Sequence, residues 1–210
     1  MGYNKFNLAF IFGIIKNNKI NYMLELGNQC INNKDIEHIN EKWGKEYFTN
    51  IGINHISMDW NGNNEALKID LTLPLDDKFC NFFDLVTNCG TTEHIELQYE
   101  VFKNLHNCAK VGCFFTNSVP LDTEQNIEIH GVPTNPHGLY EYHTKFFEGL
   151  CKLCDYKIIN INTDRATWAT NNQGFCNAIY KKINNNSFIS KTEFEQLNKY
   201  LKYYPNGSNA

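Results

Sequence analysis

The sequence predicts an α/β protein in which helices cover both faces of a mostly parallel sheet. Over the first two-thirds of the chain, short apolar strands alternate with helical patterns, which is typical of parallel strands joined by crossover helices. Several of these strands end in an acid or a glycine, as at Glu25 and Asp59, and open parallel sheets bind their ligands at that edge. Two late strands joined by a short polar connection, 162–174, predict an antiparallel pair at one edge.

The first half of the chain supplies four of the predicted strands. Its opening apolar run is shorter than the ~20 residues that span a bilayer, so it predicts a packed helix. Ile36, Ile39, Trp43 and Tyr47 recur near helical spacing and predict a second helix, and Pro74 ends regular structure after the third strand. The predicted elements are, in order, a helix at 6–16, a strand at 22–26, a helix at 35–47, strands at 55–59 and 67–71, and a strand at 82–87.

The second half supplies three further strands and a long loop. Tyr99, Phe102 and Leu105 share one side of a predicted helix. A stretch rich in Pro, Gly, Asn and His, 120–139, predicts a loop, and we expect a lid or acceptor loop at about 120–143. The predicted elements are a helix at 99–109, a strand at 112–117, a helix at 141–154, strands at 156–161 and 175–183, a helix at 192–203, and a disordered tail at 205–210.

Composition excludes several classes of protein. The chain has 210 residues, a hydrophobic fraction of 42% and a net charge of −4, which fit one globular domain and not a disordered chain. The absence of a long Lys/Arg run argues against nucleic acid as a partner. The sequence has no signal-peptide pattern, so we expect a cytoplasmic protein, without membrane attachment, whose eight cysteines are reduced.

Acidic residues follow three of the predicted strands. Glu25 ends the first strand, Asp59 the second and Asp70 the third, while the fourth runs into an Asn88–Gly90 turn. The carboxyl ends of parallel strands meet at one edge, so these groups should converge. Carboxylates accept hydrogen bonds from ribose hydroxyls, an ammonium or an exocyclic amine, and they repel phosphate. The implied ligand is a nucleoside with a cationic tail.

These residues carry a family resemblance. Over roughly residues 20–185, the chain resembles the class I S-adenosylmethionine-dependent methyltransferases, whose motifs occur here in the family's order. The matching segments are Leu24-Glu25-Leu26-Gly27, Met58-Asp59-Trp60, Ile69-Asp70-Leu71, Phe83-Asp84-Leu85-Val86-Thr87-Asn88, Thr92-Glu93-His94-Ile95 and Lys110-Val111-Gly112-Cys113. The resemblance implies a Rossmann-like, doubly wound, seven-stranded, mostly parallel sheet with an antiparallel edge hairpin, in a three-layer α/β/α domain spanning 1–204.

The resemblance implies S-adenosylmethionine as the cofactor and assigns residues to its parts. The first turn would hold the methionine end, Asp59 the ribose hydroxyls, and Trp60 would lie against the adenine. Asp70 would meet the adenine amino group. The expected cofactor-binding residues are Glu25, Gly27, Asn28, Gln29, Asp59, Trp60, Asp70, Leu71, Asn88 and Gly90.

Catalysis and acceptor binding are assigned to the later motifs. His94 is the candidate general base, because an unperturbed imidazole titrates near neutral pH. The acceptor would enter under the long loop, with four side chains as its candidate contacts. These are His130, Tyr140, Tyr142 and His143. We expect no metal site, because neither the histidines His130, His137 and His143 nor the Cys151-x-x-Cys154 pair has the spacing of a standard metal site.

Three features depart from the family. Gln29 stands where a second glycine is usual, and Cys113 replaces the second glycine of a Gly-Gly pair. The interval from Glu25 to Asp59 is 34 residues, against about 20 from turn to acid in related units. We expect an extra turn or short helix to fill it. Asp59 could otherwise be a turn aspartate, Trp60 a core aromatic and His94 a helix-start residue.

Three functions remain open on the sequence alone. The first is methyl transfer to an oxygen or nitrogen of a small molecule, such as a sugar or glycan precursor, by a protein that could form a homodimer. The second is an inactive nucleoside-binding or interaction module on the same fold, which the Gln29 departure favours. The third, a nicotinamide-dependent oxidoreductase, ranks last because Gly27 lacks the partners of a Gly-x-Gly-x-x-Gly turn.

Overall fold

A seven-stranded sheet forms the centre of the protein. The computed structural model describes residues 2–31, 36, 38–130, 138–165, 173–205 and 207. The sheet order is β3-β2-β1-β4-β5-β8-β7, parallel from β3 to β5, with β8 antiparallel to both of its neighbours. The strands are β1 (Tyr22–Leu26), β2 (Asn54–Asp59), β3 (Leu67–Lys68), β4 (Phe83–Cys89), β5 (Ala109–Pro120), β7 (Tyr156–Arg165) and β8 (Gly174–Lys182). This confirms the predicted fold class and its antiparallel edge hairpin.

Helices cover the sheet on both faces. The helices are α1 (Lys5–Asn17), α2 (Gly44–Asn50), α3 (Gln98–Cys108), α4 (Thr123–His130), α5 (Thr144–Leu153) and α6 (Lys191–Glu195). Successive side chains of a strand point to opposite faces. Accordingly, Phe115 packs in the apolar cluster that contains Phe102 and Phe146, and Phe114 packs in a second cluster with Leu8 and Ile11 of α1. The sheet is therefore the middle layer of three.

The predicted helix at 35–47 is helical only over 44–47, which open α2; its other described residues, 36 and 38–43, are not helical. Trp43 is extended, with φ −120° and ψ 143°, and forms a bridge to Cys30, so α2 begins only at Gly44. Residues 32–35 and 37 lie outside the described ranges. Tyr3 forms a second bridge to Ile31, and its hydroxyl bonds Thr87 at 3.0 Å. Tertiary pairing therefore overrides the helical spacing in the long interval after β1.

The segment 120–143 contains regular structure that the sequence did not indicate. Helix α4 occupies part of the predicted loop, and residues 131–137 lie outside the described ranges. The predicted helix at 141–154 begins at Thr144, because 140–142 form β6 (Tyr140–Tyr142), which pairs with β9 (Leu201–Tyr203). The predicted helix at 192–203 is likewise shorter: it ends at Glu195 and gives way to a 3₁₀ turn and β9.

The remaining sequence predictions concern the cysteines, the C-terminal tail and the absence of a membrane-spanning helix. All eight cysteines are free thiols, and burial raises the pKa of the Cys154 thiol to about 11, as expected of a packing residue. Of the predicted tail at 205–210, the structure describes only 205 and 207. Within the described ranges, every helix is too short or too polar to cross a bilayer.

Candidate active site

The turn after β1 joins the carboxyl ends of two neighbouring strands. Gly27 is in the left-handed region at φ +73°, and its N–H donates to the carbonyl of Met58 at 2.7 Å. The next N–H, of Asn28, donates to Asp59 Oδ2 at 2.9 Å, while Asp59 Oδ1 accepts from Asn61 N at 2.9 Å. Both oxygens of Asp59 are thereby oriented by backbone donors, and the carboxylate is fixed beside the turn.

Glu25 lies beneath this turn. It is fully buried; its Oε1 accepts from Gln29 N and Ser57 Oγ, each at 3.0 Å. His55 Nε2 is 3.3 Å from Glu25 Oε2. The carboxylate therefore holds the turn backbone in place, and a contact of Glu25 with the methionine end of the cofactor stays a prediction.

Gln29 explains how the turn forms without a second glycine. Its side chain folds inward, and Nε2 donates to the Leu26 carbonyl at 2.9 Å and to Thr91 Oγ1 at 3.0 Å. Thr91 Oγ1 donates in turn to the same carbonyl at 2.9 Å. The amide therefore ties the β1 turn to the β4 turn. Gln29 Oε1 and Asn28 Oδ1 are both buried oxygens that accept no hydrogen bond in the described part of the chain.

The predicted cofactor-binding residues that follow β2 and β3 differ in how far they are exposed to solvent. Trp60 is 72% exposed, so it is not a core aromatic. Asp70 is half-buried, and its Oδ1 accepts from both the N–H and the hydroxyl of Thr72. The side chain of Leu71 packs in the core, so only its backbone could reach a ligand at this edge. The cofactor role of Leu71 stays a prediction, through its backbone.

Asn88 belongs to an internal network instead of an open cleft. Its Nδ2 donates to Thr92 Oγ1 at 2.8 Å and to Asn117 Oδ1 at 3.1 Å, and its Oδ1 accepts from Thr92 N. Tyr142, fully buried, donates to Thr92 Oγ1. Gly90 turns the chain at φ +88° between Asn88 and Thr92. The network fixes the β4 turn, and a contact of Asn88 with the cofactor stays a prediction.

The β4 turn carries the candidate base and an acid that the sequence reading passed over. Thr92–His94 form a 3₁₀ turn in which Glu93 is fully buried. Burial raises the pKa of the Glu93 carboxyl from 4.5 to about 8. His94 is mostly buried, and its Nε2 lies 3.7 Å from Glu93 Oε1. An acid and an imidazole therefore sit together at the carboxyl end of the central strand.

Solved structures resemble this architecture. The chain matches 1,6-didemethyltoxoflavin-N1-methyltransferase of Burkholderia thailandensis, solved with 1,6-didemethyltoxoflavin and S-adenosylhomocysteine, with a TM-score of 0.58 and 12% identity, over 86% of this chain and 78% of that one. A SAM-dependent methyltransferase of Methanosarcina mazei matches with a TM-score of 0.52 and 12% identity, over 88% and 100%. One of Archaeoglobus fulgidus matches with a TM-score of 0.51 and 14% identity, over 84% and 93%.

This chain has the class I methyltransferase fold. The assignment rests on the strand order and on those structural matches. No protein-family model matches the sequence, and no curated protein matches it significantly. In the class I methyltransferase fold, as in other open parallel sheets, the ligand edge is the one that holds Gly27, Asp59 and Glu93.

The four residues that the sequence predicts as acceptor contacts lie in different environments. Tyr140 is half-buried, and its hydroxyl donates to the Glu96 carbonyl at 3.1 Å. Tyr142 has no exposed surface, so it supports the β4 turn and forms no open wall. His143 caps α5, its Nδ1 accepting from Lys145 N at 3.1 Å. The side chain of His130 lies outside the described part of the structure.

Proposed function

We propose that this protein is an S-adenosylmethionine-dependent methyltransferase that transfers a methyl group to an oxygen or nitrogen atom of a small-molecule acceptor, such as a sugar or glycan precursor. The observation that best supports the proposal is the turn after β1. Its left-handed Gly27 brings the Asn28 N–H onto Asp59, which leaves a carboxylate fixed at the ligand edge. That geometry suits ribose hydroxyls as donors.

The polar groups of the turn fit the cofactor's chemistry. S-adenosylmethionine offers donors: an ammonium, two ribose hydroxyls and an adenine amine. The turn offers acceptors, namely the Asp59 carboxylate and the two buried oxygens of Asn28 and Gln29 that accept no hydrogen bond in the described ranges. A buried acceptor without a donor costs about 1–3 kcal/mol. A ligand ammonium would remove that cost, whereas a phosphate would be repelled.

Each cofactor part has a proposed protein partner. The Asn28–Gln29 turn would hold the methionine end, Asp59 the ribose, and the exposed ring of Trp60 the adenine face. Asp70 would accept from the adenine amine. When bound, S-adenosylmethionine supplies a methyl group on a positively charged sulfur. The chain's residues need only align the acceptor with it and remove a proton, and His94 is the proposed base.

The acceptor is proposed to be a small molecule. The net charge of −4 gives nucleic acid no electrostatic attraction. A groove of about 360 Å³ lies beside the β6–β9 pair and is lined in part by Glu96, Tyr140 and Tyr203. Tyr140 follows Leu139, whose N–H donates to the Glu93 carbonyl at 2.7 Å. The groove is therefore a proposed approach to the β4 turn.

Calorimetric titration with S-adenosylmethionine and S-adenosylhomocysteine tests the cofactor assignment. We expect the wild type to bind both with micromolar affinity. Asp59→Ala should weaken both by tenfold to a hundredfold, because hydrogen bonds to a charged group contribute about 1.5–3 kcal/mol. The variant also releases the Asn28 N–H from its anchor.

Asp77→Ala is the matched control, since Asp77 is exposed and distant in the chain from the β1 and β2 turns. Its affinities should equal those of the wild type. Unchanged affinity in Asp59→Ala would contradict the site assignment. Binding of both ligands without turnover of any acceptor would favour the inactive nucleoside-binding module, and no binding of either would favour the interaction module.

A further inference from the structure

The carboxyl of Glu93 is buried without a hydrogen-bond partner. The residue has no exposed surface, and in the described part of the chain neither Oε1 nor Oε2 makes a hydrogen bond. The His94 Nε2, at 3.7 Å from Oε1, is beyond hydrogen-bond distance. Buried polar groups are nearly always paired in folded proteins, so an unpaired acid needs an explanation.

The surroundings of Glu93 are rigid. Thr92 is fixed by Asn88 and Tyr142, and the Glu93 carbonyl accepts from Leu139 N at 2.7 Å. Gly138 lets the chain close over the acid, because a Cβ on Gly138 would lie 2.7 Å from Glu93 Cγ. The side chain of Glu93 is therefore held in position by its neighbours in the described part of the chain.

The position of Glu93 points to the reacting end of the ligand. It lies two residues after Thr91, whose Oγ1 accepts from Gln29 Nε2 in the proposed methionine-binding turn at 3.0 Å. It also lies at the carboxyl end of β4, beside the carboxyl end of β1. A donor group on a bound acceptor would satisfy both free oxygens there.

We propose that Glu93 is a catalytic residue that binds a cationic amine acceptor and takes its proton, so that the enzyme methylates nitrogen. This inference rests on the proposed function. An ammonium has no lone pair and must lose a proton before it reacts. Glu93 holds a proton below about pH 8 in the unliganded protein, and it releases that proton to solvent when the cation binds, because a nearby positive charge favours the carboxylate. The resulting Glu93 carboxylate, in place of His94, then takes the proton of the acceptor. The freed nitrogen lone pair forms the bond to the methyl carbon, the carbon–sulfur bond breaks, and its electron pair stays on sulfur.

The pKa of the Glu93 carboxyl lies closer to that of an ammonium than to that of a hydroxyl, which favours a nitrogen acceptor over an oxygen acceptor. Burial raises the pKa of the Glu93 carboxyl to about 8, and an alkylammonium has a pKa of about 10.4. Proton transfer from the ammonium to the Glu93 carboxylate is therefore unfavourable by about 2.4 pKa units, far less than transfer from a hydroxyl would be. A hydroxyl is a far weaker acid, close to water at about 15.7. His94 is partly exposed and adjacent, so it can pass the proton on to solvent.

Sinefungin provides a probe that does not require the natural acceptor. This cofactor analogue carries an amine at the position of the transferring methyl, whereas S-adenosylhomocysteine carries nothing there. We would measure the affinities of both for the wild type, Glu93→Gln and Glu148→Gln. Glu148 is exposed on α5, so Glu148→Gln makes the same chemical change outside the site.

We expect the wild type and Glu148→Gln to share one preference for sinefungin over S-adenosylhomocysteine. In Glu93→Gln that preference should fall at least tenfold, while S-adenosylhomocysteine affinity stays unchanged and shows that the variant is folded. An unchanged preference, or an equal loss for both ligands, would overturn the inference and leave the proposed function standing. If the wild type binds neither ligand, the proposed function fails, and this inference fails with it.

Discussion

Gly27→Ala is expected to lower the free energy of unfolding by at least about 2 kcal/mol and to weaken cofactor binding at least tenfold. An L-residue in the left-handed region costs about 1–2 kcal/mol, and Gly27 is at φ +73°. In addition, the new Cβ would lie 2.6 Å from Gln29 Nε2 and 2.7 Å from Thr91 Oγ1. Either the backbone shifts or the Gln29 tie breaks, and both disturb the Asn28–Asp59 bond. Urea unfolding and calorimetry measure the two effects.

Gly52→Ala is a control that measures the cost of a left-handed backbone without a steric clash. Gly52 is at φ +89°, but its Cβ would meet nothing within 4 Å. It should therefore show the backbone cost alone and normal cofactor affinity. Gln29→Ala removes the nearest clashing atom, so Gly27→Ala should cost less in that background. Equal losses in Gly27→Ala and Gly52→Ala would contradict the close packing of the turn.

Glu93→Gln is expected to change how stability depends on pH. The ordinary pKa of a glutamate is 4.5, and burial raises that of Glu93 to about 8 in the folded protein. Between these values the folded protein keeps a proton that the unfolded chain releases. The contribution of Glu93 to the free energy of unfolding is therefore fully present below pH 4.5 and is lost as pH rises toward 8, by about 1.4 kcal/mol per pH unit.

The measurement is the difference in unfolding free energy between Glu93→Gln and the wild type, by urea titration at several pH values. The free energy of unfolding of Glu93→Gln, relative to that of the wild type, should rise steadily from pH 5 to 8 and then stay constant. Glu96→Gln, at an exposed acid, should keep a constant difference. A flat difference for Glu93→Gln would mean that Glu93 ionises normally in the folded protein.

The sequence predicted the sheet because strand patterns depend mostly on local alternation and burial. It failed where a distant partner decides the local structure. Trp43 is helical by spacing but is drawn into a bridge with Cys30. Tyr140–Tyr142 reads as the start of a helix, yet it pairs with residues 201–203, some 60 positions along the chain. Such pairings leave no periodic signal in either segment.

For the candidate site, the sequence predicted which residues gather at the sheet edge but not where their side chains point. Glu25 and Asp59 both end strands, but Glu25 is sealed under the turn and Asp59 faces the edge. Gln29 stands where the family usually has a glycine. Only the tertiary structure shows that its side-chain amide points inward and donates to the Leu26 carbonyl. Glu93 was within a recognised motif, adjacent to His94. Its burial, which gives it its chemistry, depends on Gly138 far along the chain.

The place of β8 between β5 and β7 governs the order in which the chain can assemble as it leaves the ribosome. Strands β1 to β5 can form a five-stranded parallel sheet once residue 120 is available, since their pairings with one another need no later strand. β7 emerges next but joins the sheet only through β8. Until 174–182 follow, β5 and β7 both lack their partner β8 and have unpaired backbone groups, which favours aggregation. Translation stalled inside 166–173 would therefore leave two open strand edges on one nascent chain.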